Sequence, residues 1–314
     1  MIYVTPSMSL SQSSKPTRDP LSEVLSVLGA KVARQTRMEA AGRWALQFPS
    51  IDRLKFMAML RGNGWMLLPG RAPQRLSEGD VCVLGRTAYV IASHPDEMPV
   101  DGRAFYPPGC DVARFGGDDT IAIGGTVTFT PGHADFLLNM LPECMVVSRS
   151  SLASSAVAII LGLMNSEFER DMIGGEVVSA RLADVLLVEA IRAHAGGPGS
   201  GEIGWLGALA EPRLGRVFRA IHDDVAQPWT VAELAGLAGM SRAAFSAEFA
   251  RRVGQPPLTY LRCWRLTLAR AALARGEGTV AVVANSVGYL SQSAFAYAYK
   301  RMFGVPPTSR ERHR

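Results

Sequence analysis

Along residues 20–135 the apolar positions gather into short runs, at 64–68, 81–84, 88–92 and 126–130, set apart by Gly, Pro and Asp. Short apolar runs with turn residues between them predict the strands of an antiparallel sandwich or barrel. A helix is expected ahead of them at 21–28, and helices again from residue 134 onward. Over 179–194, SARLADVLLVEAIRAH places Leu182, Val185, Leu186 and Ile191 close to helical spacing. That stripe reads equally as core or as the seam of a homodimer. The following AGGPGSGE, with four glycines and a proline in eight residues, reads as a linker at 195–202. The expected organisation is therefore α+β in two domains. A Ser/Pro/Thr-rich tail (1–19) precedes a β-barrel with an appended helical segment (20–194). After the linker comes an all-helical domain (203–314).

The helical domain contains one unit written twice. Ser241, Phe245, Phe249, Gly254, Pro256 and Pro257 recur 50 residues later as Ser291, Phe295, Tyr299, Gly304, Pro306 and Pro307. Upstream, Thr230, Val231, Ala232, Leu234 and Gly239 recur at an offset of 49 as Thr279, Val280, Ala281, Val283 and Gly288. In each copy a Thr caps a short helix, with Glu233 completing a capping box in the first. Leu234 and Leu237 form the expected buried stripe of that helix. A glycine then turns the chain, and a Ser caps a second helix. Its apolar face is Phe245, Phe249 and Val253 in one copy, and Phe295, Tyr299 and Phe303 in the other. Helix, tight turn, helix is a helix-turn-helix, and units at 230–253 and 279–303 joined by one long helix suit successive major grooves of a duplex. Trp229 reads as an apolar lead-in to the first unit, and Trp264 and Cys263 as core.

Charge sharpens this reading. From Arg213 to the end, 15 Lys/Arg face 6 Asp/Glu, a balance of +9, whereas residues 1–212 hold 18 basic and 22 acidic side chains, a balance of −4. A basic helical domain beside a mildly acidic one points to a polyanion as partner. The longest clean apolar run, 156–164, is nine residues, well short of the roughly 20 that span a bilayer. The first residues carry no basic start leading into an apolar stretch, so neither a membrane partner nor a secretion signal is expected. Four scattered cysteines, without CxxC pairing, suit a reducing cytoplasm.

The segments AGMSRAAFSAEFARRVGQPPLTYL, LARAAL and VANSVGYLSQSAFAYAYKRMFGVPP resemble the signature of the AraC/XylS transcriptional regulators, over about residues 213–310. More loosely, GDVCVLGRTAYVI is similar to the cupin-type sensor domain of that family. The resemblance implies a cytoplasmic activator or repressor of promoter DNA, commonly dimeric, whose first domain receives a small-molecule effector. An activator would also contact RNA polymerase. It further implies base-facing positions at Arg242, Ala243, Ser246 and Ala247 on the first recognition helix, and at Gln292, Ser293, Ala296 and Tyr297 on the second. These positions also lie opposite the aromatic stripes. Two departures bear on the target sequence: Tyr297 stands where arginine is frequent, and Leu290 where an acidic residue is frequent. Arg251, Arg252, Lys300 and Arg301, late on the two helices, are candidate phosphate contacts, as are Arg262, Arg265 and Arg270 on the connecting helix.

A cupin-like barrel also raises an enzyme as the rival reading. His94, His133 and His194 are widely spaced and form no His-x-His pair. No GxSxG, HExxH or Gly-rich phosphate loop appears, so neither metal, cofactor nor catalytic residue is assigned. A ligand pocket is the better expectation, with Trp65, Leu67, Val83 and Tyr89 as candidate wall residues. Core packing accounts for each of them as well. Redox sensing by Cys82, Cys110 or Cys144 is a minor alternative, and an RNA- or protein-binding helical module is a third class that fits the basic charge.

Overall fold

A computed structural model describes residues 19–130, 134–150, 155–170, 173–196 and 204–307. The expected tail and linker lie outside these, apart from Asp19 and residues 195–196. Helix α1 (Pro20–Val27) opens the described chain, its first turn capped by the Asp19 carboxylate accepting from the Ser22 amide at 3.0 Å. Eleven strands follow among the described residues. In chain order they are β1 (Lys31–Ala40), β2 (Ala45–Phe48), β3 (Leu54–Arg61), β4 (Asn63–Leu67), β5 (Gln74–Ser77), β6 (Val81–Leu84), β7 (Tyr89–Ala92), β8 (Val100–Asp101), β9 (Val112–Phe115), β10 (Thr120–Thr128) and β11 (Cys144–Val147). They form a six-stranded sheet in the order β11-β6-β3-β10-β1-β9 and a five-stranded sheet in the order β5-β4-β7-β2-β8.

Alternation along the strands sorts side chains between two cores, because successive residues point to opposite faces. On β3, Met57 and Met59 join Met66, Leu84 and Ile91 between the two sheets. Leu54, Phe56 and Ala58 from the same strand point the other way, into a second core beneath helices. Those helices are α2 (Ala134–Leu138), α3 (Ser155–Arg170) and α4 (Gly175–Gly196). The strand predicted at 126–130 stops at Thr128 and is the end of a longer one. β10 begins at Thr120 and runs through Gly124 and Gly125, where a Cβ on Gly125 would come within 2.2 Å of the Phe56 ring. The paired glycines make room for an aromatic ring inside a strand and do not interrupt it.

Seven helices make up the described part of the second domain: α5 (Trp205–Ala210), α6 (Pro212–Asp223), α7 (Val231–Ala238), α8 (Arg242–Val253), α9 (Pro257–Arg275), α10 (Val280–Ser286) and α11 (Gln292–Phe303). The core under the six-stranded sheet continues without a break into this domain, through Trp205, Phe218, Phe249, Tyr260 and Trp264. The second helix-turn-helix has a core of its own, around Leu273, Val283, Phe295 and Tyr299. The first unit is thus welded to the sensor domain, while the second packs chiefly on the far end of α9. In the expected dimer stripe, Leu186 and Ile191 are fully buried core, Leu182 is half-buried, and Val185 is exposed.

Candidate nucleic-acid interface and effector cavity

The helix-turn-helix reading holds in detail. Thr230 and Glu233 form the capping box, each side chain accepting from the other's backbone amide, at 3.2 and 2.8 Å. Gly239 ends α7 at φ +67°, a left-handed conformation that glycine adopts without Cβ strain. Ser241 then accepts from the Ala244 amide at 3.3 Å to start α8. The second copy repeats the device, with Ser291 accepting from Ala294 at 3.3 Å. One expectation fails: Leu237 is exposed, and Leu234, Ala235 and Ala238 form the buried face of α7. The short helix meets its neighbours through small residues, and Leu237 falls on the far side.

From Ser241 to Phe249 and from Ser291 to Tyr299 the two recognition helices show the same burial pattern, position for position. Phe245 and Phe249 are buried in α8, and Phe295 and Tyr299 in α11. Arg242, Ala243, Ala247, Gln292, Ser293 and Tyr297 stand exposed on the opposite face, while Ser246 and Ala296 are half-exposed. Leu290, ahead of α11, is fully exposed. A 19-residue α9 spans about 28 Å at 1.5 Å per residue, of the order of one helical turn of DNA, about 34 Å.

The basic residues divide by what already holds them. Lys300 and Arg301 are exposed at the end of α11. Arg251 and Arg252 both pair with Glu248, at 2.9 and 2.5 Å, and hold its carboxyl well below the usual range, at about 2. Arg265 is engaged internally, donating to the carbonyls of Val225, Ala226 and Gln227 at 2.8, 3.2 and 2.7 Å, so it ties the turn before the first unit to α9. Arg270 lies over the Phe303 ring, 4.5 Å from its centroid. Arg262 is exposed.

In the sensor domain two cavities of about 520 and 250 Å³ share Phe48, Pro49, Tyr89 and Arg103 in their walls. Tyr89 lines both and Leu67 the larger, while Trp65 borders a separate narrow crevice. Val83 lines none of these. It belongs to the core on the helical side of β6, where alternation sends it while Cys82 and Leu84 face inward. Burial pushes the Tyr89 phenol above its ordinary range, and the Tyr106 phenol up to about 12. The wall residues Phe48, Lys55 and Arg103 carried no local sequence signal. Lys55 was identifiable only by sharing a strand face with Met57 and Met59.

His94 is exposed, His194 sits near the end of α4, and His133 lies outside the described residues. No group of three or more His, Cys, Asp or Glu capable of holding a metal occurs among the described residues. The Cys82 and Cys144 side chains meet between β6 and β11, where their hydrogen bond and burial raise the Cys82 thiol, while the same bond lowers Cys144. Cys110 donates instead to the Val112 carbonyl, 3.4 Å away. No described helix is long and apolar enough to cross a membrane.

A domain with an inter-sheet cavity joined to a tandem helix-turn-helix is the build of a DNA-binding regulator, and known proteins share it. Residues 19–196 match the Cupin family profile and residues 234–312 the Helix-turn-helix domain profile. A putative AraC-like transcription regulator of Streptomyces lividans is 36% identical over 94% of this chain and 98% of its own. The transcriptional regulator AlkR of Acinetobacter baylyi is 28% identical over 92% and 97%. The crystal structure of ToxT from Vibrio cholerae O395 aligns over 89% of this chain and 95% of that one, at 12% identity and a TM-score of 0.35. The chain belongs to the AraC-like transcriptional regulators.

Proposed function

We propose that the protein binds promoter DNA as a homodimer, with α8 and α11 in successive major grooves, under the control of a small molecule held between its two sheets. The observation that carries the reading is the matched pair of recognition helices. Each has its aromatic face buried and its N-terminal polar face open, in a domain of net charge +9 from Arg213 onward. Helix-turn-helix proteins touch base edges from that end. Gln292, one residue past the Ser291 cap, is placed to read adenine through paired donor and acceptor bonds. Lys300, Arg301 and Arg262 supply phosphate contacts. Arg251 and Arg252 join them to the extent that DNA draws them from Glu248. The effector, the second copy and, for an activator, RNA polymerase complete the set of partners.

The test is binding of the full chain to duplex and single-stranded forms of one operator across a range of salt. Duplex should be preferred, with a log–log slope of about −0.9 per neutralised phosphate. Arg301→Ala should reduce that slope by about 1 and leave base preference alone. Gln292→Ala should do the reverse, relaxing one base pair per site by roughly 1–3 kcal/mol. A flat salt dependence, or equal affinity for single strands, would overturn the reading in favour of an RNA- or protein-binding module.

The second copy is assigned to the outer face of α3 and α4. Ile159 and Leu163, one turn apart on α3, are exposed together with Val178 and Val185 on the adjacent α4. Exposed apolar residues on two adjacent helices suit an interface between chains. Ile159→Glu should convert a sedimenting dimer to monomer; a dimer that survives it would place the interface elsewhere.

A further inference from the structure

The cavity between the sheets contains an unmatched cation. Lys55 alternates with Met57 and Met59 on the inner face of β3, and its ammonium lies 5.1 Å from the centroid of Phe48 and 4.9 Å from that of Tyr89. Those two rings are cross-strand partners on β2 and β7 and stack at 5.0 Å and 21°. Cation–π contacts of this kind offset only part of the desolvation of an ammonium. Among the described residues no carboxylate lines the 250 Å³ cavity, and its described walls carry three cations: Lys55, Arg34 and Arg103. Two of the three are already neutralised. Arg34 pairs with Asp111 at 2.7 Å, and Arg103 pairs with Asp101 at 2.7 Å. Lys55 has no ion pair among the described residues. Burial, with repulsion from Arg103, lowers its ammonium to about 8, which still leaves it mostly charged at neutral pH. Lysine is also scarce here: the chain has four lysines among its 33 basic residues, and this one sits inside the sensor domain. The rest of the cavity surface is chiefly apolar, with Met38, Ile91 and Ile123 beside the aromatic rings, and hydroxyls at Thr36 and Tyr106.

We propose that the effector is an amphipathic carboxylate, with its anionic group paired to Lys55 between the sheets and its apolar body against Phe48, Tyr89 and the Met/Ile wall. The inference rests on the effector reading given above and specifies its chemistry. A half-buried ammonium without a counter-ion carries a desolvation penalty that an incoming carboxylate relieves. An uncharged molecule of the same shape relieves nothing. The site thereby distinguishes acids from the corresponding amides or alcohols by charge, and it selects by apolar fit among acids.

The test uses the full-length protein and Lys55→Met, which keeps the length and apolarity of the side chain. The probes are benzoate and the linear carboxylates from hexanoate to decanoate, each beside its uncharged amide. Binding is read by calorimetry and by NMR of lysine-labelled protein, whose four lysines give few side-chain signals. At least one acid should bind the wild type about tenfold or more tightly than its amide, as charge-assisted bonds do relative to neutral ones. It should also raise the pH at which the Lys55 signal titrates. Lys55→Met should lose the preference for acid over amide. Without ligand it should melt no lower than the wild type, since it removes an unpaired charge. The linkage has a definite sign: the folded-state value lies below that of the unfolded chain, so the penalty is full below pH 8 and fades as pH rises toward about 10.5. Wild-type stability should climb over that window relative to Lys55→Met. Acids binding no better than amides, or equally to both proteins, would overturn the anion site. Amides that bind wild type and Lys55→Met alike and alter DNA affinity would overturn it while leaving the effector reading intact. A Lys55→Met protein that melts well below wild type would make Lys55 a structural residue and overturn the proposal as well.

Discussion

Phe295→Ala should dismantle the second helix-turn-helix and leave the first in place. Phe295 is fully buried, edge-on to Tyr289 at 5.3 Å and next to Tyr299 at 5.6 Å, in a small core built largely from the end of α9, α10 and α11. Truncating such a ring costs about 3–5 kcal/mol, comparable to the whole stability expected of so small a unit. The first unit is protected by its connection to the sensor domain, where Phe218 and Tyr260 pack against one another at 5.0 Å and against Phe249. Melting should therefore split into an early transition for the second unit and a late one for the remainder. The footprint on DNA should shorten from two major grooves to one. A single transition with a full-length footprint would show that the two units fold and bind as one body. Phe245→Ala, by contrast, should lower the main transition, because its ring belongs to the shared core.

These two units were legible because everything that defines them is local. Cap, turn glycine and aromatic stripe fall within 25 residues of each other, and duplication doubles the signal. The sheet was less so. β6 begins and ends where its apolar run does, but β1, KVARQTRMEA, alternates charged with small residues and reads as a poor strand. It is nevertheless the partner of both β10 and β9. Two of its charges pair within the sheet, where Glu39 accepts from Arg37 at 2.8 Å and from Arg114 at 2.9 Å. That pairing depends on a strand 75 residues away and leaves no periodic trace. Lys55 was hidden for the same reason: one charged residue in an apolar run looks like an edge until the opposite sheet places Phe48 and Tyr89 over it. Leu237 erred the other way, because helical spacing assigns a face but not what lies beyond it.

The same non-local logic joins sensor to reader. His222 on α6 is buried with both ring nitrogens engaged, Nδ1 with the Glu23 carboxylate at 2.5 Å and Nε2 with the Tyr260 hydroxyl at 2.8 Å. Its ring packs over Trp264, centroids 4.7 Å apart. Burial pushes the Tyr260 phenol above its ordinary range, so it keeps its proton beside Nε2, while Nδ1 faces the Glu23 carboxylate. Glu23 lies on α1, which leads directly into β1, and β1 contributes Arg34, Thr36 and Met38 to the cavity wall. Tyr260 lies on α9, the helix between the two DNA-reading units. A short path thus runs from the cavity through α1 and a buried imidazole to the helix that sets the spacing of the recognition helices. Glu23→Ala should leave Nδ1 buried without a partner and lower stability by about 1–3 kcal/mol. Tyr260→Phe should do the same at Nε2. Because both act on one ring, their effects should be non-additive, with a coupling of roughly 0.5–3 kcal/mol in a double-mutant cycle. Each should also change operator affinity, although neither residue belongs to a recognition helix, and the double variant should change it little further. Hydrogen exchange in α1 should accelerate in Glu23→Ala. Additive stabilities with operator affinity unmoved would mean that His222 fills the domain junction without coupling its two sides.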